Sequence, residues 1–223
     1  MKLKLNVSMI MQSILKLTRL FTGYMFASIA TVMMINSKLG LNPWGIFFKG
    51  ISIQTGLSYG QVAQLSGLII IFISLFLKII PGIGTIFNMY FFGLFVDIVE
   101  KTGIIPLPDN MVTKIIMLLA AILIYCTGIY LYLSCKLGAG PKDGLMLGLV
   151  KKFNMSVSKV RMSIEIVVLV IGYMLGGPLG IGTVILSLST GPVLQKIFKI
   201  WKFDAKKEKQ LNIKELIVIV NKF

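Results

Sequence analysis

The amino-acid sequence predicts an all-α protein: a polytopic membrane helical bundle of about six transmembrane helices, arranged as two inverted three-helix repeats, each with a short Pro-started half-helix. Three observations predict it. The 223 residues are 56% hydrophobic and 14% charged with a mean hydropathy of +0.89, where soluble domains carry about 25% charged residues. The apolar residues fall into blocks of about 20, enough to cross about 30 Å of hydrocarbon. The sequence also matches itself at a shift of 98 positions.

The first element, residues 1–19, has the lysines of a signal peptide, but its apolar stretch is broken by Asn6, Ser8, Gln12 and Ser13 and runs into Lys16 and Arg19. It reads as a cytoplasmic amphipathic lead-in. The first span follows at 20–37; Ser28-Ile29-Ala30 faintly resembles a cleavage site, yet the segment matches a later span and reads as an uncleaved anchor. Further spans are expected at 58–77, 82–99, 111–134, 156–175 and 180–197. The chain then divides into membrane repeat 1 (20–100), an external loop (101–110), membrane repeat 2 (111–199) and a basic cytoplasmic tail (200–223). In the tail, Ile213, Leu216, Ile217 and Val220 follow a helical stripe after a run of lysines, which predicts a segment for a membrane surface or partner, removable from Lys206 onward without loss of the membrane fold.

Orientation follows from charge. Nineteen of the 23 Lys and Arg fall on the side of the N-terminus, and only Lys38, Lys49, Lys101 and Lys114 lie opposite. Because cytoplasmic loops retain positive charge, both termini are expected in the cytoplasm of a bacterium, with the bundle in its inner membrane. The net charge of +15 sits at the ends of apolar blocks, so anionic lipid headgroups, not nucleic acid, are the expected counter-charge. A homo-oligomer is compatible with this composition. With no histidine, and only Cys126 and Cys135 as thiols, the usual metal sets, Cys/His dyads and Ser-His-Asp triads cannot be assembled. No enzyme, metal or cofactor is expected.

The self-match runs without a gap from Lys38 to Val99 against Lys136 to Ile197, and KLGLNP faces KLGAGP. It pairs Gly50 with Gly148, Ser58 with Ser156, Val62 with Val160, Gly93 with Gly191, and Gly82-Ile83-Gly84-Thr85 with Gly180-Ile181-Gly182-Thr183. Three spans per half is an odd number, so the halves must have opposite orientations, the design of many secondary transporters.

Each half contains a segment too short to span, 39–56 and 137–154, with Asn42-Pro43 or Gly140-Pro141 near its start. Proline suits the first helical position and Asn the N-cap, so a helix starts at Pro43 and at Pro141; from Pro43 to Gln54 it is about 18 Å long, half a bilayer. Its free N–H groups could hold an anion or a polar substrate group. Alternatively both helices are interfacial connectors anchored by Trp44 and Phe47. The elements Gly82, Gly84, Thr85 and Gly180, Gly182, Thr183 open the third span of each half, either for close helix packing or to offer N–H groups to a ligand.

Polar residues within the spans complete the candidate site. Glu165 lies roughly 13 Å into its span and Arg161 one turn earlier, which fits a structural ion pair or a proton or substrate relay. Asp143, beside Lys142, occupies the first turn of the second half-helix as a cap or a ligand contact. Asn88 is mid-span and Asp97 nears the outer end of the same helix. The candidate substrate-binding residues are Asn42, Asn88, Lys142, Asp143, Arg161 and Glu165.

The elements LGLNPW, GLSYGQ, PGIGTIFN and FVDI in the first half, with LGAGPKDGLMLGL, RMSIE and LGIGT in the second, resemble the YczE/YyaS/YitT family of bacterial integral membrane proteins, most closely its YczE-like branch. GPKDGLM followed by Arg161 and Glu165 is the most specific part. The resemblance spans nearly the whole membrane region and carries no substrate or catalytic residue; some members are associated with production of peptide or polyketide natural products. Two functions are expected from the sequence: a small-molecule transporter or exporter with its site between the repeats, or a non-transporting membrane accessory or scaffold protein, for example one supporting natural-product biosynthesis.

Overall fold

The computed structural model describes residues 2–203 and 210–215 and is all-helical over them. We number its helices α1 (Lys2–Ser37), α2 (Pro43–Thr55), α3 (Tyr59–Phe76), α4 (Ile83–Thr102), α5 (Met111–Leu133), α6 (Pro141–Phe153), α7 (Val157–Met174) and α8 (Ile181–Ile200). Helix α1 is continuous, so the lead-in and the first span are one helix whose apolar part runs from Ser13 to Ser37. Among the described residues, five helices are long and apolar enough to cross a membrane: that part of α1, then α3, α4, α5 and α8. Helix α7 has 18 residues but carries Lys159, Arg161 and Glu165.

Local chemistry sets the helix boundaries. Asn42 Oδ1 accepts from Gly45 N at 2.7 Å and caps α2, with Pro43 in the first turn. Ser58 and Ser156 cap α3 and α7 through the N–H groups of Gln61 and Lys159. The backbone turns left-handed at Gly56 after α2 and at Asn154 after α6, where side chains other than Gly and Asn are disfavoured. These equivalences follow the 98-position shift, as do the positive φ angles of Lys38 (53°) with Lys136 (58°) and of Gly40 (113°) with Gly138 (123°).

Helices α1 and α5 form the centre and run antiparallel. Gly23 and Gly128 let the backbones touch: a β-carbon on Gly23 would stand 2.9 Å from Gly128 O, and one on Gly128 would stand 2.7 Å from Gly23 O. Around this seam Ala30, Ala121, Leu118 and Cys126 are fully buried. Each half-helix crosses over to the other half, α2 onto α7 and α6 onto α3. The Gly50 backbone lies against Gly172, and Gln54 Nε2 donates to Leu175 O at 3.0 Å.

The loops ahead of the half-helices cross over in the same way. Gly84 N donates to Leu137 O at 2.8 Å, and Gly182 N donates to Leu39 O at 2.7 Å, two bonds related by the 98-position shift. A β-carbon on Gly82 or Gly180 would collide with those same carbonyls. Both glycine elements therefore serve close backbone approach, and the Gly84 and Gly182 N–H groups are taken by the opposite half. Midway, α4 carries a π turn over Asn88–Phe92, and α8 carries Pro192, which has no N–H to give to the helix. Ser28 Oγ donates to Phe92 O at 3.0 Å and Cys126 Sγ to Thr190 O at 3.6 Å, again equivalent positions.

Of the tail beyond residue 203, residues 210–215 are described. Residues Gln210–Glu215 dock onto the second crossing loop: Leu211 N donates to Lys136 O at 3.0 Å, Ile213 N to Pro81 O at 3.1 Å, and Gly138 N to Gln210 Oε1 at 3.2 Å. Backbone groups left open by the left-handed turn at Lys136 and Gly138 draw the segment in. Leu216, Ile217 and Val220 of the expected stripe, and Lys206, lie outside the described residues.

Candidate functional site

The two half-helix starts meet through one side chain. Lys142, in the first turn of α6, places Nζ 5.4 Å from the ring centre of Trp44 and 5.8 Å from that of Phe48, both on α2. A cation over an aromatic face gains about 0.5–2 kcal/mol, the upper end when desolvated. Trp44, Phe47, Phe48 and Tyr59 form a continuous aromatic cluster with ring centres about 6 Å apart. Trp44 thus packs against the start of the opposite half-helix.

Beside Lys142, Asp143 and Asn88 converge on Gly140. Asn88 Oδ1 lies 3.3 Å and Asp143 Oδ2 3.5 Å from the point where a β-carbon on Gly140 would stand. Asn88 opens the π turn of α4; such turns recur at functional sites because they re-aim side chains. Tyr125 of α5 lies within electrostatic range of Asp143, Arg161 and Glu165. Lys142 and Asp143 are in turn within range of Arg161 and Glu165.

Arg161 and Glu165 form the ion pair that their spacing predicts, Nε donating to Oε1 at 2.9 Å. The pair is not buried. The Arg161 side chain is 56% exposed and that of Glu165 32%. They line an open cleft of about 290 Å³ with Pro43, Met162, Ile166, Leu169 and Ser187. The cleft joins the start of the first half-helix to two helices of the second half.

Of the six candidate residues, Asp143 and Asn88 meet beside Gly140 next to Lys142, and Arg161 and Glu165 form a separate pair on α7 within electrostatic range of Lys142 and Asp143. Asn42 is engaged in capping α2. Asp97 caps α3, accepting from Ser58 Oγ at 2.5 Å and Gly60 N at 2.8 Å. Thr85 donates to Ala139 O and accepts from Gly82 N, which ties the first glycine element to the second crossing loop. The sequence names Trp44 only as an anchor in the alternative where the half-helices are interfacial connectors, and it does not single out Phe48, Tyr125 or Ser187. The repeat register was the available signal, since it pairs Trp44 with Lys142. Among the described residues no three Cys, Asp or Glu side chains come together as a metal site. Lys142 with Asp143 and Arg161 with Glu165 carry no net formal charge between them.

The DUF6198 family, a family of unknown function, matches residues 14–199. The chain belongs to this family. All the candidate residues of this DUF6198 chain fall within the match, and Gln210–Glu215 falls beyond it. An uncharacterized protein of Haemophilus influenzae is 39% identical over 163 residues, 73% of this chain and 74% of its own length. The uncharacterized membrane protein YczE of Bacillus subtilis is 32% identical over 184 residues, 82% of this chain and 85% of its own. The uncharacterized protein YyaS of the same organism is 25% identical over 188 residues, 79% and 88% of the two chains. No solved structure matches. The YczE/YyaS resemblance read from the motifs therefore holds. With its apolar helices and a relative named as a membrane protein, this DUF6198 chain is an integral membrane protein.

Proposed function

We propose that the protein is a small-molecule transporter or exporter of the bacterial inner membrane, with both termini cytoplasmic and its ligand site where the two half-helices meet. In this reading α7 is a sixth span, and residues 20–100 and 111–199 are inverted repeats. The carrying observation is the contact of Lys142 with Trp44 and Phe48, which joins the two half-helix starts. A half-helix of 13 residues is about 20 Å long at 1.5 Å per residue, so its start lies near mid-membrane. The reciprocal bonds of Gly84 and Gly182 support a pseudo-two-fold relation of the halves.

In such a design one half rocks against the other around a fixed site. The π turn of α4 and Pro192 of α8 supply bending points, and the crossing loops supply pivots. The accessory-protein reading is favoured by one observation, the pairing of Arg161 with Glu165. It predicts that these residues pair off in a closed core, whereas the pair lines an open cleft.

The test is accessibility. With both native cysteines replaced by serine, Lys142→Cys in proteoliposomes should react with a membrane-impermeant maleimide from either face, and added ligand should protect it. Failure to react from both faces, with the protein folded by thermal unfolding, would overturn the transporter reading in favour of the accessory role.

A further inference from the structure

We propose that the cleft between Pro43, α7 and α8 seats the zwitterionic head group of a membrane lipid, a phosphate joined to a primary ammonium, admitted sideways from the bilayer. The inference rests on the reading above in taking Arg161 and Glu165 as part of a ligand site. It adds the ligand class and the route.

The route follows from what surrounds the mouth. Met162 and Ile166 on α7 are 59% and 53% exposed, and Val184 and Leu188 on α8 are 57% and 70% exposed. Met162 and Ile166 line the cleft itself, and Val184 and Leu188 lie within one turn of its lining residue Ser187; exposed large apolar side chains of this kind mark a surface that faces hydrocarbon in a membrane-spanning chain, so the cleft opens toward lipid. An ion pair on such a face is costly unless it meets a polar partner, and a solute confined to water cannot supply one there.

The ligand class follows from the unused bonding capacity. Arg161 spends one of its five N–H donors, Nε, on Glu165, and Glu165 spends one of its two oxygens. Among the described residues the two Nη groups and Glu165 Oε2 make no hydrogen bond. The cleft thus presents a planar donor fork beside a free carboxylate oxygen. A fork of this kind matches a phosphate, and the carboxylate oxygen accepts from an ammonium that carries hydrogen. An anion alone would meet Glu165 and a cation alone would meet Arg161, whereas a zwitterion satisfies both.

Size separates head from tail. The cleft, at about 290 Å³, equals about ten water volumes of 30 Å³, at the lower limit of small-molecule pockets. It accommodates a head group and leaves acyl chains outside, along Met162 and Ile166. Ser187 adds a hydroxyl among the lining residues.

The experiment uses the full chain in nanodiscs of phosphatidylcholine doped with phosphatidylethanolamine or phosphatidylglycerol, with retained lipid read by native mass spectrometry. Wild type should retain phosphatidylethanolamine at least about tenfold over the other two, because the choline ammonium has no hydrogen to donate and the glycerol head has no cation. The charge-neutral double variant Arg161→Gln with Glu165→Gln should lose that preference. Ile166→Trp, which blocks the mouth and keeps the pair, should lose it too and serves if the double variant fails to fold. Equal retention of the three lipids, preference for phosphatidylglycerol, or a preference that survives both variants would overturn the proposal. Equal thermal protection by soluble glycerophosphoethanolamine would overturn the lipid source. Loss of lipid preference with Lys142→Cys still labelled from both faces would sink this inference alone and leave the transporter reading standing.

Discussion

Gly180 and Gly144 both lie in the second half, and the same substitution should move them in opposite directions. A β-carbon at Gly180 would meet the Leu39 carbonyl, backbone that cannot rotate away, whereas one at Gly144 would meet nothing within 4 Å. Gly180→Ala should therefore destabilise by about 1–3 kcal/mol, the usual cost of overpacking. Gly144→Ala, inside α6, should stabilise by up to about 1 kcal/mol through helix propensity. Thermal unfolding in detergent checks both, and equal shifts would remove the crossing contact as the reason for the glycine. Much of this chemistry was legible beforehand. The recurrence of Gly-Ile-Gly-Thr identified positions that need glycine, and the spacing of Arg161 and Glu165 identified the ion pair. Which neighbour forbids a side chain was not legible, because Leu39 is 141 positions from Gly180 and only folding brings them together.

The docked tail distinguishes the two crossing loops. Leu211 and Ile213 hold the second loop and the start of α4 by backbone bonds, and Gln210 adds Nε2 donating to Leu133 O at 3.0 Å. Each such bond contributes about 0.5–1.5 kcal/mol net. Truncation before Gln210 should leave the membrane helices formed but lower thermal stability and speed amide exchange at Gly138 and Gly84. Exchange at Gly182, the equivalent position on the undocked side, should stay unchanged. Equal acceleration at Gly84 and Gly182 would show a general loosening instead of a local clasp. The amphipathic stripe in the tail could not disclose this, since its periodicity describes a face and not the partner that the face or the backbone finds.

The orientation of the whole bundle has its own test. On a cysteine-free background, Lys151→Cys and Lys207→Cys should label only from the cytoplasm and Asp109→Cys only from outside. Labelling of Lys151→Cys from outside would reverse α6 and overturn the inverted relation of the halves. The charge bias behind this expectation is a property of composition, so folding adds nothing to it.

Composition and hydrophobic block length determined that this is a helical membrane protein, because lipid demands helices of a minimum length wherever they occur in a fold. The 98-position self-match determined where helices begin, since caps and left-handed turns are chosen by local residues. Only the tertiary structure decided that each half-helix crosses to the opposite half, that Trp44 faces Lys142, and that the Arg161–Glu165 pair opens on a cleft. These are contacts between distant segments, set by which surfaces fit when the antiparallel pair α1 and α5 closes on its glycines. Periodicity along a chain carries no record of such fits.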